Sequence, residues 1–123
     1  MTELSFERGA DTLPIGVERV VGALAAWAKQ NPEGFVVVEG HTDRYGDAKR
    51  NLALSVRRAD SVVKQLLALG IARDQIVIGG FGMSPKGRRV VVWTSRSDVQ
   101  TIEAQLRARG AKTVQTSVLV ASL

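Results

Sequence analysis

Phe35-Val36-Val37-Val38-Glu39-Gly40-His41-Thr42-Asp43 is the stretch that decides the fold. Its first half is a continuous apolar, β-branched run, the pattern of a central strand covered on both faces. Asn31-Pro32-Glu33-Gly34 separates it from what precedes. Its second half turns polar just before the next helical pattern begins. Side chains leaving a strand end there meet the free N–H groups and positive dipole end of the following helix, a good place for a ligand.

That helix is predicted from about Asp47 to Leu69, with Leu52, Val56, Ala59, Val62, Val63 and Leu66 as its core stripe and Gly70 as its C-terminal cap. Upstream, Leu4-Ser5-Phe6 is a short strand candidate, followed by a turn through Gly9-Ala10-Asp11. A first helix is predicted with Thr12 as cap, Pro14 in its first turn, and Val17, Val20, Val21, Leu24, Trp27 and Ala28 inward. Downstream, Ile76-Val77-Ile78 is a strand closed by Gly79-Gly80-Phe81-Gly82. A link from Met83 to Gly87 leads to a strand from Arg88 to Trp93. Ser97 or Asp98 caps a helix carrying Val99, Ile102 and Leu106, Gly110 ends it, and Thr113 to Ala121 is a last β-rich stretch. Gln65-Leu66, Ala68 and Gly70 recur as Gln105-Leu106, Ala108 and Gly110, which reads as two helix-to-strand junctions and not as a duplication.

The fold class expected is α/β, an α+β sandwich with a mixed parallel and antiparallel sheet in β-α-β-α-β-β order and helices packed on it. The Val77 and Val90 strands are expected to form an antiparallel hairpin, since their link is too short for a crossover. Residues 1–96 make the main module. Residues 97–123 add a helix and a strand packed on the same domain, the strand offering an edge for envelope proteins or for self-association.

Composition sets bounds. The 123 residues suit one domain. An apolar fraction of 45% argues against disorder, and no apolar run is long enough to cross a bilayer. There is no cysteine and one histidine, His41. Disulfides, thiolate zinc sites, cysteine nucleophiles and two-histidine metal motifs are therefore excluded, and neither a cofactor nor a metal is expected. Met1-Thr2-Glu3-Leu4 lacks the basic and apolar regions of a secretory signal. The formal charge is +5, unevenly placed. Residues 1–40 hold three basic and six acidic side chains, a net of −3, and residues 41–123 hold fourteen and six, a net of +8.

On the second helix, Asn51 and Arg58 fall within about 20° of each other, on the flank of the buried stripe. Asp43 would enter the same groove from the preceding loop. An aspartate, an asparagine and an arginine around one groove make a receptor for a zwitterion: the carboxylate holds an ammonium and the guanidinium a carboxylate. Taken singly, Asp43 reads equally well as a turn cap and Arg58 better as a surface ion-pair partner. His41 reads as a loop residue bonded to backbone.

Thr42-Asp43, Leu54-Ser55, Arg58-Ala59, Val62 and Leu66, at these spacings, resemble the signature of OmpA-like C-terminal domains, the peptidoglycan-binding modules of OmpA, Pal and MotB. Gly40-His41 before the motif, Asn51 within it, Gly80-Phe81-Gly82, and Arg88-Arg89-Val90 extend the resemblance over about residues 4 to 93. The resemblance implies non-covalent binding of peptidoglycan through the meso-diaminopimelate of its stem peptide. Asp43 and Arg58 would grip the free amino-acid end, Thr42 and Asn51 would be accessory, and Arg88 or Arg89 would be the second arginine. It also implies the periplasm or cell envelope, with an export signal or anchor outside these residues. Two features depart from the family pattern. The link before the arginines is short, with Gly87 where an asparagine is usual and Val91 where a glutamate is usual, and the chain continues beyond the last family strand.

Three other readings compete. A degenerate member would serve as a structural or protein-interaction module. A nucleic-acid-binding protein is suggested by the basic second part, but its basic residues are scattered and no reading module is present, so no nucleic acid is expected. An enzyme is not expected, since the sequence offers no nucleophile–base pair and only Glu39 and Asp43 as clustered carboxylates.

Overall fold

A computed structural model describes residues 1–116 of the chain. In chain order the elements are β1 (Thr2–Ser5), α1 (Val17–Gln30), β2 (Phe35–Thr42), α2 (Ala48–Ala68), a 3-10 turn (Arg73–Gln75), β3 (Ile76–Met83), β4 (Arg89–Ser95), α3 (Val99–Ala108) and β5 (Thr113–Gln115). The strands form one mixed five-stranded sheet in the order β1-β4-β2-β3-β5. The apolar run of β2 takes the middle place, parallel to β3 and antiparallel to β4.

The expected β3–β4 hairpin does not form, because β4 pairs with β2 and β1 instead. The link between β3 and β4 steps over the end of β2, where Ser84 N donates to the Thr42 carbonyl at 3.1 Å. Two strand spacings are only about 10 Å, a distance that about five extended residues cover easily. A short link therefore forbids a parallel crossover but still permits skipping one strand.

Side chains of β2 alternate between two cores, as strand geometry requires. Val36 and Val38 pack with Val62, Val63 and Leu66 of α2 and with Val21 and Ala28 of α1. Val37 faces the other way, onto Val77, Phe81, Ile102 and Leu106, so α3 covers the opposite face of the sheet. All three valines are fully buried.

The helix ends explain themselves. Asp47 caps α2, its carboxylate accepting from Arg50 N at 2.9 Å, and Asp98 caps α3 in the same way through Thr101 N. Gly70, at φ 89°, lets Ile71 N reach back to the Leu66 carbonyl. Ala111 N reaches the Leu106 carbonyl in the same manner after Gly110, so the repeated Gln-Leu-x-Ala-x-Gly pattern marks two instances of one C-terminal motif. The first helix departs from expectation. Gly16, at φ 90°, interrupts the helical path, so α1 starts at Val17, Pro14 opens the turn before it, and Thr12 lies in the loop further upstream.

Gly40 sets how closely α2 approaches the sheet. A Cβ there would lie 1.7 Å from the Ser55 carbonyl oxygen. Ser55 Oγ in turn accepts from Gly82 N at 2.9 Å, tying α2 to β3. The strand ends at Gly40 and Gly82 thus seat the first half of α2, which carries the candidate site residues. Beyond β5, residues 117–121 of the expected last strand lie outside the described residues.

Candidate functional site

The loop after β2, the start of α2, the β1–α1 loop and the β3–β4 link meet around a cleft of about 220 Å³. Five of the six residues expected from the sequence line it: Thr42, Asp43, Asn51, Arg58 and Arg88. Arg89 does not. It points to the β1 side, with Nε 3.5 Å from a carboxylate oxygen of Glu3. The two arginines are consecutive, and successive residues of an extended chain point to opposite sides.

Arg58 is not on a half-exposed flank, as the helical wheel suggests, but fully buried. Its Nε donates to the Ala10 carbonyl at 2.7 Å, Nη2 to Glu7 at 3.0 Å and Nη1 to His41 at 3.1 Å. The Phe6 ring lies under it, 5.5 Å from the guanidinium carbon. Burial lowers the Arg58 pKa from its ordinary value, and the charge of Asp43 counters that effect. A guanidinium starts so far above neutrality that it stays charged. Three of its five N–H groups are engaged with carbonyls, leaving one on each terminal nitrogen.

Asp43 is only partly buried, at the rim, and its Oδ1 accepts a long bond from Tyr45 N at 3.4 Å. Asn51 Nδ2 donates to the Tyr45 carbonyl at 2.7 Å, fixing the loop that carries Asp43. Thr42 is buried and donates to the Asp43 carbonyl at 3.1 Å. Thr42 and Asn51 thus shape the loop, while Asp43 and Arg58 supply opposite charges to one cleft. The shortened link still delivers Arg88 to the cleft.

Four further lining residues escape sequence reasoning: Arg8, Gly9, Tyr45 and Gly46. Arg8 stands over the exposed Tyr45 ring, 5.5 Å from its centre. Arg8 reaches the cleft because Arg58 holds the Glu7 and Ala10 carbonyls on either side of it, about fifty residues away in sequence. No local pattern signals such a contact.

A second polar cluster lies on the opposite face of β2, under the end of α3. His41 is buried within β2, not in a loop, and stacks on Phe81 at 4.3 Å. It bonds side chains, not backbone: Nδ1 to Ser84 Oγ at 2.7 Å and Nε2 to Glu39 Oε1 at 3.1 Å. The expectation of a backbone-bonded loop residue fails because the strand continues through His41 and Ser84 comes from 43 residues away. Glu39 Oε2 also accepts from Trp93 Nε1 at 2.5 Å and from Arg109 Nη2. Burial raises the Glu39 pKa, but the bonds from His41, Arg109 and Trp93 together outweigh it and hold the carboxyl below its ordinary value. Three donors hold the carboxylate, which acts as a buried tie between β2, β4 and the end of α3.

Comparison with known proteins gives a consistent picture. A sequence model described as the OmpA family matches residues 5–98. A peptidoglycan-associated lipoprotein of Legionella pneumophila is 40% identical over 62 residues, covering 50% of this chain and 35% of that protein. An outer membrane protein A of Escherichia fergusonii is 50% identical over 52 residues, 42% of this chain and 21% of that protein. The chain thus spans only about a third or less of these two relatives. Among solved structures, the peptidoglycan-associated lipoprotein of Burkholderia pseudomallei superposes with a TM-score of 0.66 at 22% identity, over 77% of this chain and 91% of that one. The C-terminal domain of Helicobacter pylori MotB gives 0.65 at 20% identity, over 88% and 93%. At these identities the structural likeness speaks for the fold.

Proposed function

The chain belongs to the OmpA family, and from that we propose that its cleft binds peptidoglycan non-covalently through the meso-diaminopimelate of the stem peptide, anchoring an envelope protein to the cell wall. One observation carries the reading. Asp43 at the rim and buried Arg58 present opposite charges to a single cleft sized for an amino-acid head group. The free end of diaminopimelate carries an ammonium and a carboxylate on one carbon. Asp43 takes the ammonium, and the remaining N–H groups of Arg58 take the carboxylate. Arg88 adds a second cation from the β3–β4 link.

The binding is a matter of positioning alone. Arg58 is already held by three carbonyls, so little side-chain freedom is lost when the ligand arrives. The relatives' names place them at the outer membrane or in association with peptidoglycan, which supports the periplasm or cell envelope as the compartment. No helix among the described residues is long and apolar enough to cross a membrane.

Co-sedimentation with purified sacculi tests the reading. Sacculi containing meso-diaminopimelate should retain the protein, and sacculi with lysine at that stem position, which lacks the second carboxylate, should not. Equal retention on both would mean that the head group is not what is recognised.

A further inference from the structure

The charges of the cleft do not balance. Three guanidinium groups line it, those of Arg8, Arg58 and Arg88, against one carboxylate, Asp43. Of the neighbouring acids, Glu7 is exposed and does not line the cleft, Asp11 pairs with Arg57 at 3.4 Å, and Glu3 pairs with Lys86 and Arg89. Asp47 is occupied as the cap of α2. Among the described residues neither Arg8 nor Arg88 has an ion-pair partner. A single amino-acid head group, with one ammonium and one carboxylate, would leave this excess unanswered.

We propose that the cleft accommodates two carboxylates for each ammonium, and that Arg8 is the residue that reads the second one. This rests on the peptidoglycan reading above. In the stem peptide, the residue before diaminopimelate is a glutamate joined through its side chain, so its α-carboxyl is either free or amidated. The free form carries the extra charge and the amidated form does not. Arg8 is suited to the distinction. It is exposed, its guanidinium stands over the Tyr45 ring at 5.5 Å, and it belongs to the β1–α1 loop that Arg58 pins from below. A guanidinium stacked on an aromatic face keeps its edge N–H groups for an incoming carboxylate. Arg8 thus acts as a specificity residue, separate from the Asp43–Arg58 pair that holds the head group.

The experiment compares two synthetic tripeptides, alanyl-γ-glutamyl-diaminopimelate with the glutamate α-carboxyl free or amidated, by calorimetric titration against wild type, Arg8→Ala and Asp43→Asn. Wild type should prefer the free form by about fivefold, the size of one half-exposed charged contact. Arg8→Ala should erase that preference, so that the free and amidated peptides bind this variant equally. An exposed side chain makes a folding defect in this variant a poor explanation for any change. Equal wild-type affinity for the two peptides, with binding lost in Asp43→Asn, would overturn the Arg8 assignment and leave the head-group reading standing. A preference that survives in Arg8→Ala would assign the second carboxylate to another cation and also overturn it. Failure of both peptides to bind wild type would remove the head-group reading and this inference together.

Discussion

Arg58 Nη1 donates to the His41 carbonyl at 3.1 Å, which ties the middle of α2 to the last residues of β2 one step before Thr42-Asp43. The same guanidinium holds the Glu7 and Ala10 carbonyls, so three separate chain segments converge on it. Its position follows from packing as much as from binding, since a buried guanidinium must spend its N–H groups on partners.

Arg58→Lys should therefore cost both stability and binding. A lysine cannot span three carbonyls in that fork geometry, and at least two lose their partner. A loss of about 2–4 kcal/mol in urea unfolding is expected. An unfolding midpoint equal to that of wild type would show that the carbonyl bonds do not matter to the fold.

Gly40→Ala should disrupt the seat of α2, because the new Cβ would meet the Ser55 carbonyl at 1.7 Å. Backbone on both sides leaves no flexible side chain to yield. Destabilisation of about 2–3 kcal/mol is expected in the same assay. A neutral substitution would mean that α2 is not held this close to β2.

Acid titration of stability should expose Glu39. Its folded pKa lies below the ordinary value of 4.5. The unfolded chain therefore takes up the proton first as pH falls. The stabilisation is fully present above the ordinary value and is lost as pH falls through the lower folded value. Wild type should lose stability in that window more steeply than Glu39→Gln, which has no proton to gain. Asp98, also lowered, by its cap bonds to Thr101, contributes equally to both proteins. Parallel curves would remove Glu39 from the acid response.

The two adjacent arginines should separate cleanly. Arg88→Ala should weaken retention on sacculi by about five- to tenfold, through loss of a cation in the cleft. Arg89→Ala removes a half-exposed contact to Glu3 and a long bond to the Arg88 carbonyl, and should stay within about twofold of wild type. Equal effects would place both side chains, or neither, at the ligand.

Much of this was legible in the chain. The valine run of β2 announced a central strand, and Asp47, Asp98, Gly70 and Gly110 announced helix ends, because these are local signals. The hairpin expectation failed because a short link constrains direction but not adjacency. The sequence set Thr42, Asp43, Asn51 and Arg58 in one groove, and they do line one cleft. It did not show that Arg58 is buried, since helical periodicity cannot see the Glu7–Ala10 loop folding over it. Arg8 was hidden for the same reason, and so was the His41–Glu39 cluster, because Ser84, Trp93 and Arg109 reach it from three later segments.

The central claim is that Asp43 and Arg58 hold the free end of meso-diaminopimelate. Isothermal titration of the free amino acid into wild type and Asp43→Asn tests it most directly. That substitution keeps the size of a side chain bonded only weakly to Tyr45 N but removes the charge that faces buried Arg58, so urea unfolding of the variant is measured beside the titration. Saturable one-to-one binding by wild type, lost or weakened by about thirtyfold or more in Asp43→Asn, is the result expected for removing one charge of a paired contact. No heat with wild type, or equal affinity in the two proteins, would contradict it.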